Sequence, residues 1–260
     1  MKKNLLLCHV GLGDMFICNG LVRTLVDRYG DLTVLAIPDY YDTIKHMYSD
    51  DDRIEVLRLP AWDKFVDDLE LRRSHFKDVL DLEDYHVTAL GFLNEHENVW
   101  HGARKIDKGF YAQAKVPFNH KWSRCKWPRA EKQLPVPDGD YIFVHIDKTR
   151  QLSFNHTFDL PVVYNTDYYT SNLFEWEDII RNAKELHVID SCFSNWIELM
   201  EGISLTPKVL YDTKHLFGHP GFPTYLREEW KVITNLKNVP LYSPVEETVW
   251  GSGYLEKQVN

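Results

Sequence analysis

The chain has 260 residues, 44% hydrophobic and 13% aromatic, enough for one large domain or two modest ones of about 130 residues each. Its 30 basic and 39 acidic residues leave a formal charge of −9, which argues against a nucleic-acid partner, because phosphate binding calls for a basic surplus. The absence of a Lys/Arg block or of an apolar run of spanning length argues against a polybasic anchor and a transmembrane segment.

Residues 4–10 form a continuous apolar run, as expected of a strand buried on both faces of a parallel sheet. The run is too short for the core of a signal peptide, and the glycine loop Gly11-Leu12-Gly13-Asp14 follows at once. Residues 15–28 carry apolar positions at helical spacing up to Gly30, and a second strand over 32–37 is closed by Pro38. This strand–loop–helix–strand unit predicts parallel pairing with a right-handed crossover. Short helices are expected over 40–48 and 64–74, and strands over 54–59 and 78–82, while 94–127 reads as irregular. Residues 128–140 hold three prolines and several charges without periodicity, which suits a linker. Beyond it, strands are expected over 141–146, 161–164, 186–189 and 208–211, with helices over 176–183 and 196–201; the tail after Gly218 shows no clear pattern. Strands alternating with helices in both halves predict an α/β protein with two parallel sheets.

The four cysteines, Cys8, Cys18, Cys125 and Cys192, lack C-x-x-C spacing, and most sit in apolar segments; free thiols in a reducing, cytoplasmic setting are expected. The twelve histidines are dispersed with no ligand spacing, and the acidic runs 50–52 and 138–140 read as solvated turns, so no metal is expected. Neither a nucleophile elbow nor a Walker loop or kinase signature is present. The first loop is not a dinucleotide fingerprint, since Phe16 stands where the third glycine of G-x-G-x-x-G belongs. Its glycines let the backbone approach a ligand closely, and the helix that follows aims its positive end at the same place. Asp14 is then either a base that takes the proton of an acceptor hydroxyl or the N-cap of the helix.

The segment CHVGLGDMFICNGLVRTL, residues 8–25, resembles the opening of the heptosyltransferase-type, family 9-like glycosyltransferases of the GT-B fold. In those enzymes the acidic residue of the turn serves as catalytic base, which corresponds to Asp14. Asn19 and Gly20 occupy the region where they carry a proline, so the acceptor is not carried over. A second segment, VIDSCFSNWIEL, residues 188–199, is similar to the donor-diphosphate motif of GT-B second domains and to the S-F-S-x-W segment of fucosyltransferases. Gly13 from the first loop, together with Asp190, Ser191, Cys192, Phe193, Ser194 and Asn195, is accordingly a candidate donor site; hydroxyls and amides at a helix start suit two phosphates, and a plain capped helix is the alternative. A third segment, FVHIDKTRQ, residues 143–151, is similar to a fucosyltransferase element whose arginine neutralises the leaving diphosphate. Asp147 stands at that position here, and Lys148 and Arg150 follow as candidate cations or as a solvated surface pair.

The resemblance implies two Rossmann-like domains facing a cleft, an acceptor side near 1–127 and a donor side near 141–260, joined by 128–140. It implies sugar transfer from a nucleotide sugar to a glycan or other hydroxyl acceptor without a metal or other cofactor. Tyr111, Trp122 and Arg124 are candidates for stacking on the acceptor, or belong to a segment crossing between the halves. The alternatives are an epimerase or hydrolase acting on the nucleotide sugar alone, and a non-catalytic binding module, to which the chain's shortness for two full halves points.

Overall fold

The computed structural model describes residues 2–9, 11–60, 80–91, 105–147, 157–212 and 224–233. Strand β1 (Lys3–Leu7) leads into the long helix α1 (Leu12–Tyr29), then β2 (Leu32–Ala36), α2 (Tyr41–Met47) and β3 (Ile54–Arg58). Strand β4 (Tyr85–Ala89) and helices α3 (Ile106–Gln113) and α4 (His120–Ser123) complete the first half. The second half comprises β5 (Ile142–Val144), β6 (Val162–Tyr164), α5 (Glu177–Asn182), β7 (Glu185–Ile189), α6 (Cys192–Leu199), β8 (Lys208–Tyr211) and β9 (Lys231–Ile233). The strands form two sheets, ordered β3-β2-β1-β4 and β6-β5-β7-β8-β9, and every pairing is parallel. The expected α/β class with two parallel sheets is therefore present.

Alternation along the strands divides the core. Leu6, Cys8, Val34 and Ala36 on one face of the first sheet, and Phe143, Leu186, Val188 and Leu210 on one face of the second, belong to a single continuous cluster with α1 and α6. Leu5, Leu7, Leu35 and Ile37 point to the opposite face and form a separate cluster, as the two-residue period of a strand demands. Inside the shared core Phe16 of α1 stacks on Trp196 of α6 with centroids 5.9 Å apart, and Phe174 and Trp127 close around them. Residues 128–140 are tied into this core, with Ala130 and Leu134 buried and the Leu134 amide donating to the Glu175 carbonyl.

Helix α1 is buried on nearly every side, and its polar residues grip the segment that runs through α3 and α4. The Asn19 side-chain amide donates to the Lys126 carbonyl and accepts from its N–H, both at 3.0 Å. The Thr24 hydroxyl lies 3.0 Å from His120 Nδ1, and Arg28 donates to the carbonyls of Ala114 and Lys115. Gly20 lets this segment approach, since a Cβ there would overlap the His120 carbonyl oxygen. Gly20→Ala should cost about 1–3 kcal/mol or more, read by denaturant unfolding, because a backbone atom cannot swing aside as a side chain can. A variant as stable as the wild type would contradict this packing.

The strand expected over 78–82 is displaced: residues 82–84 form a 3-10 turn and the strand follows as β4. The irregular reading of 94–127 gives way to α3 and α4, whose Asp107 and Lys121 form a buried ion pair, not the solvated face their charges suggest. The helix expected over 64–74 lies outside the described residues. Cys8 and Cys18 are buried, and the free thiols of Cys18 and Cys125 stay protonated; a hydrogen bond with Cys8, then burial, raises the first well above the usual range, and burial pushes the second up to about 12. Among the described residues no helix is long and apolar enough to cross a membrane.

Candidate functional site

Open parallel sheets bind ligands beyond the carboxyl ends of their strands, where the strand order reverses direction. In the first sheet that point lies between β1 and β4, and in the second between β5 and β7. His9 follows β1 and Gly91 follows β4; His145 follows β5, and Asp190 and Ser191 follow β7. The helices that leave these points, α1 and α6, bring the two together. A Cβ on Gly13 would sit 3.1 Å from Asn195 Nδ2 and 3.7 Å from the Cys192 Cα, so the two first turns pack closely against each other here. One turn further along each helix Phe16 meets Trp196, so α1 and α6 run in the same direction with their N-termini side by side. Each N-terminus carries about half a positive charge, and the pair presents about one elementary charge to the same point.

Asp14 is the third residue of α1; the N-cap is Gly11, which settles the capping alternative against Asp14. Its carboxylate is partly exposed, with Oδ2 3.9 Å from His9 Nδ1. Across the helix pair Ser191 caps α6: its hydroxyl accepts from the Phe193 amide at 3.1 Å and lies 3.3 Å from His145 Nδ1. The Ser194 hydroxyl accepts from the Ser191 amide at 2.9 Å and donates to the Ser191 carbonyl at 2.8 Å. Ser194 is fully buried and thus shapes the turn instead of facing a ligand. Phe193 is likewise internal, its ring packed under His145 with centroids 4.6 Å apart, and Asp190 is buried at the end of β7. The groups left at the surface of the junction are Gly13, Asp14, Ser191, Cys192 and Asn195. Lys148 and Arg150 lie outside the described residues.

The three aromatic and basic candidates of the crossing segment stand elsewhere. Tyr111 is fully buried and donates its hydroxyl to the Ile17 carbonyl at 3.1 Å, so it offers no face to a sugar. The Trp122 indole donates to Glu198 at 3.1 Å, with Lys121 against its ring. Arg124 pairs with Asp27, roughly 20 Å along the α1 axis from Asp14 at about 1.5 Å per residue. They serve the crossing of the segment between the halves.

His9, Gly91 and His145 escaped the sequence reading. Their signal is position immediately after the strands that flank each reversal, and it becomes visible only once the strand order is known. Among the described residues no group of three or more His, Cys, Asp or Glu side chains is arranged to hold a metal ion. No protein-family model, curated protein or solved structure matches the chain.

Proposed function

We propose that this protein is a cytoplasmic glycosyltransferase that moves a sugar from a nucleotide sugar to a hydroxyl acceptor without a metal. The observation that carries the reading is the junction of α1 and α6, where two parallel helices start side by side with Asp14 on one and Ser191 on the other. A donor diphosphate held at the first turn of α6 meets the positive ends of both helices, which offset the charge that develops as the nucleotide departs. Cys192 and Asn195 line that turn, and Asp14, one residue beyond the contact of Gly13, is the base in this reading. Attack by the deprotonated hydroxyl on the anomeric carbon, opposite the departing diphosphate, gives inversion. Lys148 and Arg150 remain candidates for further charge compensation, and the GT-B arrangement of two domains about a cleft belongs to the same proposal.

Thermal-shift measurement against UDP, GDP, ADP, CMP, dTDP and their sugars, with and without chelator, tests it. A ligand at 100 times its dissociation constant adds about 2.7 kcal/mol, which for a chain of this size raises the melting temperature by several degrees. One nucleotide should do so, chelator should make no difference, and an added acceptor should accelerate nucleotide release. A melting temperature unmoved by every nucleotide and nucleotide sugar would refute the donor site.

A further inference from the structure

Resting on the reading of Asp14 as base, we propose that His9 is the positioning residue of that base and the next stop for its proton. The imidazole emerges two residues past the end of β1, at the reversal point of the first sheet. Its Nδ1 faces Asp14 Oδ2 at 3.9 Å, and its plane stands edge-on to Phe110 of α3, centroids 5.4 Å apart and 88° between planes. The third side is Gly91, at φ +64°, so close that a Cβ there would overlap Nε2. Gly91 is itself anchored, its amide donating to Gln113 Oε1 at 2.8 Å and the preceding Leu90 amide to the Leu7 carbonyl at 2.8 Å. Among the described residues Asp14 is a charged neighbour of the imidazole.

A second glycine guards the carboxylate. A Cβ on Gly11 would come within 2.9 Å of Asp14 Oδ2, yet Gly11 adopts φ −66° and ψ 138°, extended backbone open to any residue. A side chain at 11 would therefore turn the Asp14 carboxylate aside without straining the backbone. Two missing side chains, at 11 and 91, keep room for the imidazole and the carboxylate to meet, and both groups remain partly exposed, at 16% and 24%.

The acceptor hydroxyl gives its proton to Asp14 as its oxygen bonds to the anomeric carbon of the nucleotide sugar, and the bond from that carbon to the diphosphate oxygen breaks with its electron pair leaving on the nucleotide. Asp14, now a neutral acid, passes the proton to Nδ1 of His9 in the tautomer that carries hydrogen on Nε2. The carboxylate is restored, and the imidazolium releases the proton to water. A small rotation that shortens 3.9 Å to hydrogen-bond reach, or one bridging water, completes the path.

The test compares wild type with His9→Gln, which cannot titrate, and Gly91→Ala, which keeps the imidazole, crowds its Nε2 and strains the backbone at φ +64°, so the melting temperature of each variant is measured alongside. Nucleotide release is followed across pH from whichever of the UDP-, GDP-, ADP-, CMP- and dTDP-sugars gives the largest thermal shift. Wild-type release should fall on acidification through one ionisation between about pH 5 and 8. His9→Gln should lose that step and about 100-fold in rate with nucleotide affinity kept, and Gly91→Ala should reproduce the loss of rate. A His9→Gln enzyme that retains both rate and step overturns the proposal. The pair is also measured without turnover: the His9 ring proton resonance should titrate at lower pH in Asp14→Asn than in wild type, because a carboxylate favours the imidazolium. Equal midpoints overturn the pair, whereas absence of turnover with unequal midpoints sinks only the transferase reading.

Discussion

Asp14→Asn should lower sugar transfer by about 10²–10⁴-fold, the range expected when a positioned proton acceptor is removed. The structure makes this substitution a clean one. Asp14 is partly exposed in the first turn of α1, and the helix core beneath it, Met15, Phe16 and Cys18, is packed without it. The fold loses at least the favourable meeting of a carboxylate with the positive end of the helix, worth about 0.3–1 kcal/mol. The melting temperature should therefore fall by only a few degrees, and the nucleotide-induced shift should survive, since the proposed diphosphate contacts lie on the first turn of α6. A kinetic loss accompanied by a matching loss of donor affinity would mean that Asp14 acts in binding. Loss of the fold would mean that the residue is structural and would remove the base assignment. Retained activity would leave His145, at the reversal point of the second sheet, as the next group to replace.

How far the sequence could be read follows from where charge is buried. The first strand–loop–helix–strand unit is plain because its strands carry the apolar runs Leu5–Leu7 and Val34–Ala36 and a glycine turn follows the first. Strand β4 was displaced because Tyr85–Ala89 is an edge strand whose His86 and Val87 are exposed, so it lacks the unbroken apolar run of its neighbours. Helices α3 and α4 were missed for the opposite reason: Asp107 and Lys121 look like surface residues, yet both are fully enclosed. The same holds for Arg23, which is buried on α1 and reaches the Met47 carbonyl and Asp50. Nothing local marks a charge as buried, because its partner stands far away in the chain. The two halves were read as separate units joined by a linker, whereas their inner faces meet in one core through the stack of Phe16 on Trp196, a contact between residues far apart in the chain. The α6 start was placed late for a local reason, since the capping pair Ser191 and Ser194 begins the helix at Cys192. Of the proposed site, Asp14 in the glycine loop and Ser191 at the start of α6 can be picked out from local sequence, while His9 and His145 acquire meaning only from the strand order.

Lys121→Met should cost about 3–5 kcal/mol, a fall in melting temperature on the order of 10 °C. Lys121 and Asp107 pair at 2.7 Å with side chains 1% and 0% exposed, so removing the cation leaves a carboxylate stranded in the core. The pair also does a second job. Asp107 Oδ2 accepts from the Tyr225 amide at 2.8 Å, and Lys121 Nζ donates to the Tyr225 carbonyl at 2.7 Å, so the ions satisfy both ends of one residue where the chain has left regular structure. Beside them Glu198 accepts from the indoles of Trp122 and Trp230 at 3.1 and 2.9 Å and from the amides of Arg227 and Glu228. The stretch 224–230 is thus held through its backbone and its indole by buried charge. Asp107→Asn in the Lys121→Met background should recover part of the loss, because the stranded charge disappears while an amide oxygen can still accept from Tyr225. Full recovery would show that the Tyr225 carbonyl needs no partner there, and a Lys121→Met variant melting with the wild type would show that the pair contributes nothing. The consequence reaches the junction of α1 and α6, since the Thr224 hydroxyl lies 3.4 Å from Asn195 Oδ1 and Asn195 in turn touches Gly13. Loosening the strap at Tyr225 should therefore weaken the proposed nucleotide binding at the first turn of α6 even under conditions where the protein remains folded.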